Sequence, residues 1–342
     1  MTGKPPMRYS IFSVQDHYPT CTRTVAELYA QVQSQARLAD TLGYDTFFVA
    51  EHHFHEYGAV PNPAVMLAAL AQQTNRIRLG TAISILTFHH PLTVAENYAM
   101  VDALSGGRLV YGVGSGYLKH EFEGYRVTPA EKRDRFNEAL EIVRRLLAGE
   151  RVRHKGQYYQ IDDVQLQVPP SQPDGPPTYV AILAKEGAYH VGRQGNRIIS
   201  VPYASVDHFN EVGDLVASYR KGRQEAGQPE DADDSVFCFH CHVADDAAQA
   251  RQNAEGPFDL YVRTRLYAKS QTYDDILKSD LGLFGSVEQV TEKLVQLHKW
   301  GINHVMLLQN FGLMAPELVE RSMRKIAEEV MPEVNRQIGA AA

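Results

Sequence analysis

Residues 44–63 read YDTFFVAEHHFHEYGAVPNP, an apolar run over Asp45–Ala50 that breaks into Glu51, His52, His53, His55 and Glu56 before Gly58 and Pro61. A short, almost uninterrupted apolar run suits a strand covered on both faces. A polar cluster just past its C-terminal end is where α/β proteins place their chemistry. The same theme recurs on both sides of this stretch, with strands expected at Met7–Val14, Ile77–Ala82, Leu109–Gly114, Thr178–Leu183, Arg197–Val201, Asp234–Val243 and His304–Gln309. Between and after them, apolar residues fall at helical spacing over Val25–Leu42, Asn62–Thr74, Thr93–Leu104, Ala130–Leu147, Lys185–Arg193, Asp207–Ala226, Asp246–Asn253, Ser286–Trp300 and Pro316–Met331.

Eight strands, each followed by a helix, imply parallel strands joined by right-handed crossovers. In 342 residues this predicts a (β/α)8 TIM barrel forming a single domain over 1–342. A doubly wound open sheet is the rival, and the missing GxGxxG after the first strand counts against it. Two insertions are expected. One, at about 148–177 after strand four, is rich in Pro, Gly and Gln, with a small hairpin near Arg151–Ile161. The other, irregular, lies at about 255–285 near strand seven. Long loops of this kind often cover a pocket, and Phe258, Tyr261, Leu266 and Tyr267 suit an apolar or aromatic molecule.

The balance of 34 Lys+Arg against 41 Asp+Glu, with no basic stripe, argues against a nucleic-acid partner. Three cysteines make no disulfide framework, the N-terminus MTGKPPMRYS lacks the apolar core of a signal peptide, and no run approaches a membrane span. A cytoplasmic protein without a membrane role is expected.

In a barrel, the residues past the strand ends line the active face, which selects Glu51–His55, Ile83–His90, Ser115–Tyr117 and Ala184–Gly187. His53 and His55 have the spacing of a metal-binding HxH pair, and Cys238, His240 and His242 alternate along strand seven on one face. The later strand ends supply no convincing further ligands, so no metal is expected. A metal-dependent barrel hydrolase stays as an alternative, as does a non-catalytic barrel supporting a partner subunit. The stretch Gly112-Val113-Gly114-Ser115-Gly116 lacks the residue order of a nucleophile elbow. It reads better as a turn whose N–H groups can approach a phosphate.

The stretches AEHHFHEYG (50–58), NRIRLGTAISILTFHHPLTVAENYAMVDALSGGRLVYGVGSGY (75–117) and FGSVEQVTEKLVQLHKWGINHVMLL (284–308) resemble the bacterial luciferase-like flavin-dependent monooxygenase family. The resemblance implies a (β/α)8 barrel that takes reduced FMN from a separate reductase and uses O2 to oxygenate a small, apolar organic substrate. It makes His52 the counterpart of the family's active-site histidine, and beside it Glu51 is either a cofactor-binding residue in direct contact with the flavin or a strand-end carboxylate satisfied by backbone donors. It places the flavin floor at Ala82 and Ile83, where the family often has a non-proline cis peptide. Gly114 and Ser115 stand where the luciferase α-subunit has a reactive cysteine and an arginine, so Ser115 is left at a phosphate position and luminescence is not expected. Arg135 resembles the family's other phosphate-binding arginine, and Ala181, Ile182, Leu183, Ala184 and Lys185 occupy the segment that runs along the flavin. The resemblance also implies a homodimer formed through helices near strands two and three. A deazaflavin-dependent hydride-transfer enzyme on the same fold is the nearest alternative.

Overall fold

The structure, a computed structural model, describes residues 6–229, 234–264 and 271–339. Its centre is a closed barrel of eight parallel strands: β1 (Arg8–Ser13), β2 (Thr46–Val49), β3 (Arg78–Thr81), β4 (Leu109–Gly114), β5 (Thr178–Ile182), β6 (Arg197–Ser200), β7 (Ser235–Val243) and β8 (His304–Leu308). Neighbours in sequence pair in order, and β8 returns to β1 from Arg8↔His304 to Phe12↔Leu308. The TIM barrel expected from the sequence is therefore the observed fold, with every barrel strand within one residue of its expected ends. No helix among the described residues is long and apolar enough to cross a membrane.

Local chemistry sets the helix ends. Helix Val25–Leu42 opens on a capping box between Thr24 and Glu27 and stops at Gly43, whose φ of 82° is left-handed. Asn62 caps Pro63–Ala71, with Pro63 at the first helical position where its missing N–H is harmless. His90, expected in the loop beyond strand three, caps Pro91–Ser105 by accepting the Leu92 N–H on Nδ1.

The first insertion contains the expected hairpin, Val152–Lys155 against Gln160–Val164. Its turn is anchored by Glu138, which accepts the N–H groups of Tyr158 and Tyr159. Buried Asp102 then pins the remainder by accepting the N–H groups of Ser171 and Gln172 at 2.7 and 3.0 Å.

The second insertion departs from expectation. The helix expected to end at Asn253 continues from Ala247 to Thr264 through Gly256 and Pro257. Burial of Ala254, Phe258, Tyr261 and Val262 on one face outweighs the hydrogen bond that Pro257 cannot donate. A second helix, Tyr273–Lys278, follows, and Leu283–Gly285 pairs parallel with the end of β7. Leu266 and Tyr267 lie outside the described residues.

Strands β3 and β4 approach so closely that a Cβ on Gly112 would lie 2.1 Å from the Thr81 carbonyl oxygen. That oxygen belongs to the backbone and cannot swing away. Gly112→Ala is expected to cost at least about 2 kcal/mol in urea unfolding. Gly256 is the contrast, a helical glycine at which an added Cβ would meet no described atom within 4 Å. Gly256→Ala should stabilise by roughly 0.5–1 kcal/mol in the same measurement.

Candidate active site

The polar cluster that follows β2 sits at the C-terminal mouth of the barrel and is mostly buried. Glu51, His52 and His53 are 1, 6 and 3% exposed. Glu51 Oε1 accepts His53 Nε2–H at 3.0 Å and His89 Nε2–H at 2.6 Å, while Oε2 accepts the Ile85 N–H at 2.9 Å. Burial by itself raises a carboxyl pKa, but these donors together outweigh it and hold Glu51 at about 2. The charge therefore stays on Glu51 because the surrounding groups point donors at it.

His52 faces another carboxylate. Its Nδ1 lies 3.1 Å from Oε1 of Glu121, a fully buried residue on the short helix Lys119–Tyr125. The same oxygen accepts the His53 N–H at 3.0 Å. The other ring nitrogen, Nε2, is 3.4 Å from the Tyr117 hydroxyl. Tyr57 meets the His52 ring edge-on at 4.5 Å and shares a 2.9 Å hydroxyl contact with Tyr261. His53 is also gripped by the Tyr125 hydroxyl on Nδ1 and by His120, whose Nε2–H donates to the His53 carbonyl.

The turn after β3 begins with a cis peptide between Ala82 and Ile83, at the position expected. Ala82, Ile83, Ser115, Ala181 and Leu183 are half-buried, Ile182 is buried and Ala184 is exposed. Helix Lys185–Arg193 starts directly after Ala184 without a side-chain cap, so its first N–H groups face the mouth side of the strand end. Lys185 at its start lies 3.7 Å from Glu211 and 3.9 Å from Asp214. Arg135 is held by Glu131 at 2.8 Å and lies over the Tyr158 ring at 4.5 Å. A cavity of about 550 Å³ lined by Arg144, Arg197 and Thr178 opens near the N-terminal ends of β5 and β6, at the opposite end of the barrel.

Residues 7–304 match the profile of the luciferase-like monooxygenases. The chain belongs to that family. It is similar to the crystal structure of monooxygenase RslO1 from Streptomyces bottropensis, with a TM-score of 0.87 and 30% identity over 95% of this chain and 99% of that one. It shares the fold of the oxygenating constituent of 3,6-diketocamphane monooxygenase from Pseudomonas putida, a type II Baeyer-Villiger enzyme in complex with FMN. That match has a TM-score of 0.82 and 20% identity over 96% of this chain and 98% of the other. It is also 29% identical over 266 residues to an F420-dependent glucose-6-phosphate dehydrogenase of Kineococcus radiotolerans, covering 75% of this chain and 76% of that protein.

In this luciferase-like oxidoreductase the expected residues fall into four places. His52 lies at the mouth with Glu121 behind it. Ala82, Ile83, Ser115 and Ala181–Lys185 end neighbouring strands around the same opening, and Arg135 stands beside the hairpin turn. Glu51 lies beneath them, with both oxygens occupied. The HxH spacing of His53 and His55 does not bring those two together as a ligand set: among the described residues the three ligand-type atoms within 4.8 Å of one another are those of Glu51, His53 and His89. His55 instead accepts the Tyr57 N–H and packs on His120, and His242 pairs with Asn253. Sequence reasoning did not single out Glu121. Its helix has seven residues, too few to register as a periodic pattern, and only its place after the strand-four turn could have marked it.

The depressed Glu51 carboxyl has a direct consequence for acid stability. Its stabilisation is present above the ordinary pKa of 4.5 and lost as pH falls toward about 2. Over that window the native state is expected to lose about 3 kcal/mol that Glu51→Gln does not lose. Thermal melts of both proteins from pH 5 to 2 measure the difference.

Proposed function

We propose that the chain is the oxygenating component of a two-component monooxygenase working in the cytoplasm as one barrel domain over 1–342. It takes reduced FMN from a separate reductase and acts on a small, apolar organic molecule. The observation that carries the reading is the placement of His52, with one nitrogen held by a buried carboxylate and the other beside Tyr117 at the mouth.

The residues present suit FMN. Ala82, Ile83, Ala181, Ile182 and Leu183 provide an apolar surface for the ring system. The uncapped start of helix Lys185–Arg193, with Ala184 and Lys185, provides N–H groups and a cation for the phosphate. Ser115 and Arg135 complete the donor set in this reading. Glu51 contributes by fixing the Ile85 N–H beneath the floor. When bound, reduced FMN supplies the two electrons that send one oxygen atom of O2 into the substrate and the other into water. His52 Nε2 then holds or passes the proton needed at the mouth, and Tyr117 orients it. The apolar residues Val65, Met100 and Leu104 stay 66, 52 and 49% exposed on the helices after β2 and β3, which supports a homodimer through that face. Glu51, His53 and His89 already satisfy one another, so they are assigned to the scaffold and chelators should leave activity unchanged.

The second reading, hydride transfer with a deazaflavin, is favoured by the similarity to the F420-dependent dehydrogenase. Titration with reduced FMN and with F420, followed by ¹⁸O₂ incorporation into a panel of aldehydes, ketones and terpenes, decides between them. Binding of F420 alone, with no label in any product, overturns the proposal.

His52→Ala is expected to lower oxygenation by about 10²–10⁴-fold while reduced-FMN affinity stays within a few-fold. Lys185→Ala should weaken FMN by about tenfold and leave riboflavin, which has no phosphate, unchanged. Fluorescence titration reads both affinities, and an equal loss for riboflavin removes Lys185 from the phosphate site.

A further inference from the structure

We propose that Glu121 is the positioning residue that determines which nitrogen of His52 faces the barrel mouth, an inference that rests on the reading of His52 as the proton-handling group. A carboxylate can only accept hydrogen bonds. Oε1 of Glu121 already takes the His53 N–H at 3.0 Å, so the His52 nitrogen 3.1 Å away must also donate. The proton of neutral His52 therefore sits on Nδ1. Nε2 is left with its lone pair toward the mouth, where the Tyr117 hydroxyl can donate to it.

The surroundings hold the ring in that pose. Tyr57 closes one side at 4.5 Å, and Gly58 approaches so tightly that a Cβ there would lie 2.9 Å from the His52 Cβ. A ring flip would take Nδ1 away from Glu121 and set a carbon against the carboxylate. Glu121 itself is fully buried, and its Oε2 has no hydrogen-bond partner among the described residues. Burying a carboxylate is costly, and the side-chain hydrogen bonds of this one go to His52 and to the backbone of His53. Its side-chain hydrogen bonds among the described residues thus go to the histidine pair.

The test begins with the cofactor-free protein carrying ¹⁵N-labelled histidine, with the His52 signals assigned by their loss in His52→Gln. The wild type at neutral pH should show His52 protonated on Nδ1 and bare on Nε2. Glu121→Ala should shift its population toward Nε2–H, whereas Glu121→Gln, whose amide oxygen can accept the same two donors, should keep the wild-type pattern. Turnover on the best substrate of the panel should fall about 100-fold in kcat for Glu121→Ala, with KM within about threefold, and the Gln variant should recover to within about tenfold of wild type. Nε2–H as the main form in the wild type, or an unchanged pattern in Glu121→Ala, overturns the proposal. If the tautomer shifts as expected but His52→Ala leaves oxygenation intact, the positioning by Glu121 stands and the catalytic reading of His52 falls.

Discussion

The buried carboxylate of Glu51 is the constraint on which the mouth of this barrel depends. A charge removed from water costs several kcal/mol unless donors replace the lost hydration. Here two imidazoles and one backbone N–H replace it, and they come from two different strand ends. The same contacts that keep Glu51 ionised therefore lock the loop after β3 to the loop after β2. The Ala82-Ile83 turn lies within that clamp, just before Ile85, so the floor of the mouth is held by electrostatics as well as by packing.

A second buried carboxylate, Glu121, divides two adjacent histidines between different tasks. His53 is taken up on every polar side: its ring by Glu51 and Tyr125, its amide by Glu121 and its carbonyl by His120. His52 is held at one nitrogen and keeps the other beside Tyr117. Two neighbouring residues of one type thus enter different chemistry, because successive side chains leaving a strand end point in different directions. This division connects the fold to the proposed oxygenase role, since only an imidazole with one nitrogen held and the other at the opening can manage a proton reproducibly.

The barrel was legible because its signals are local and repeated. Apolar runs followed by helical spacing recurred eight times, and each pair occupied a short window of sequence. The mouth was legible for a related reason, because residues just past β2, β3, β4 and β5 must share one end of a parallel barrel. The continuation of helix Ala247–Thr264 was not legible. The sequence placed its end at Asn253 and an irregular stretch from about 255, and only the burial of Phe258 and Tyr261 against the barrel shows why the helix persists. Glu121 was hidden for the opposite reason, since its helix is too short for a pattern and its partners lie 68 and 69 residues away in sequence.

The sequence by itself determined the alternation of elements, the parallel strands that follow from it, and the strand ends where polar residues collect, while the pairing of β8 with β1 that closes the barrel is seen in the structure. Hydrophobic periodicity and connection handedness act over short distances, so each can be read residue by residue. Only the tertiary structure decided which carboxylate faces which imidazole. Glu51 chose His53 and His89 over the adjacent His52, and His52 turned to Glu121. Those pairings follow from where strand ends, side-chain directions and buried donors meet in space, and a buried charge selects its partners by distance through space, whatever their separation along the chain.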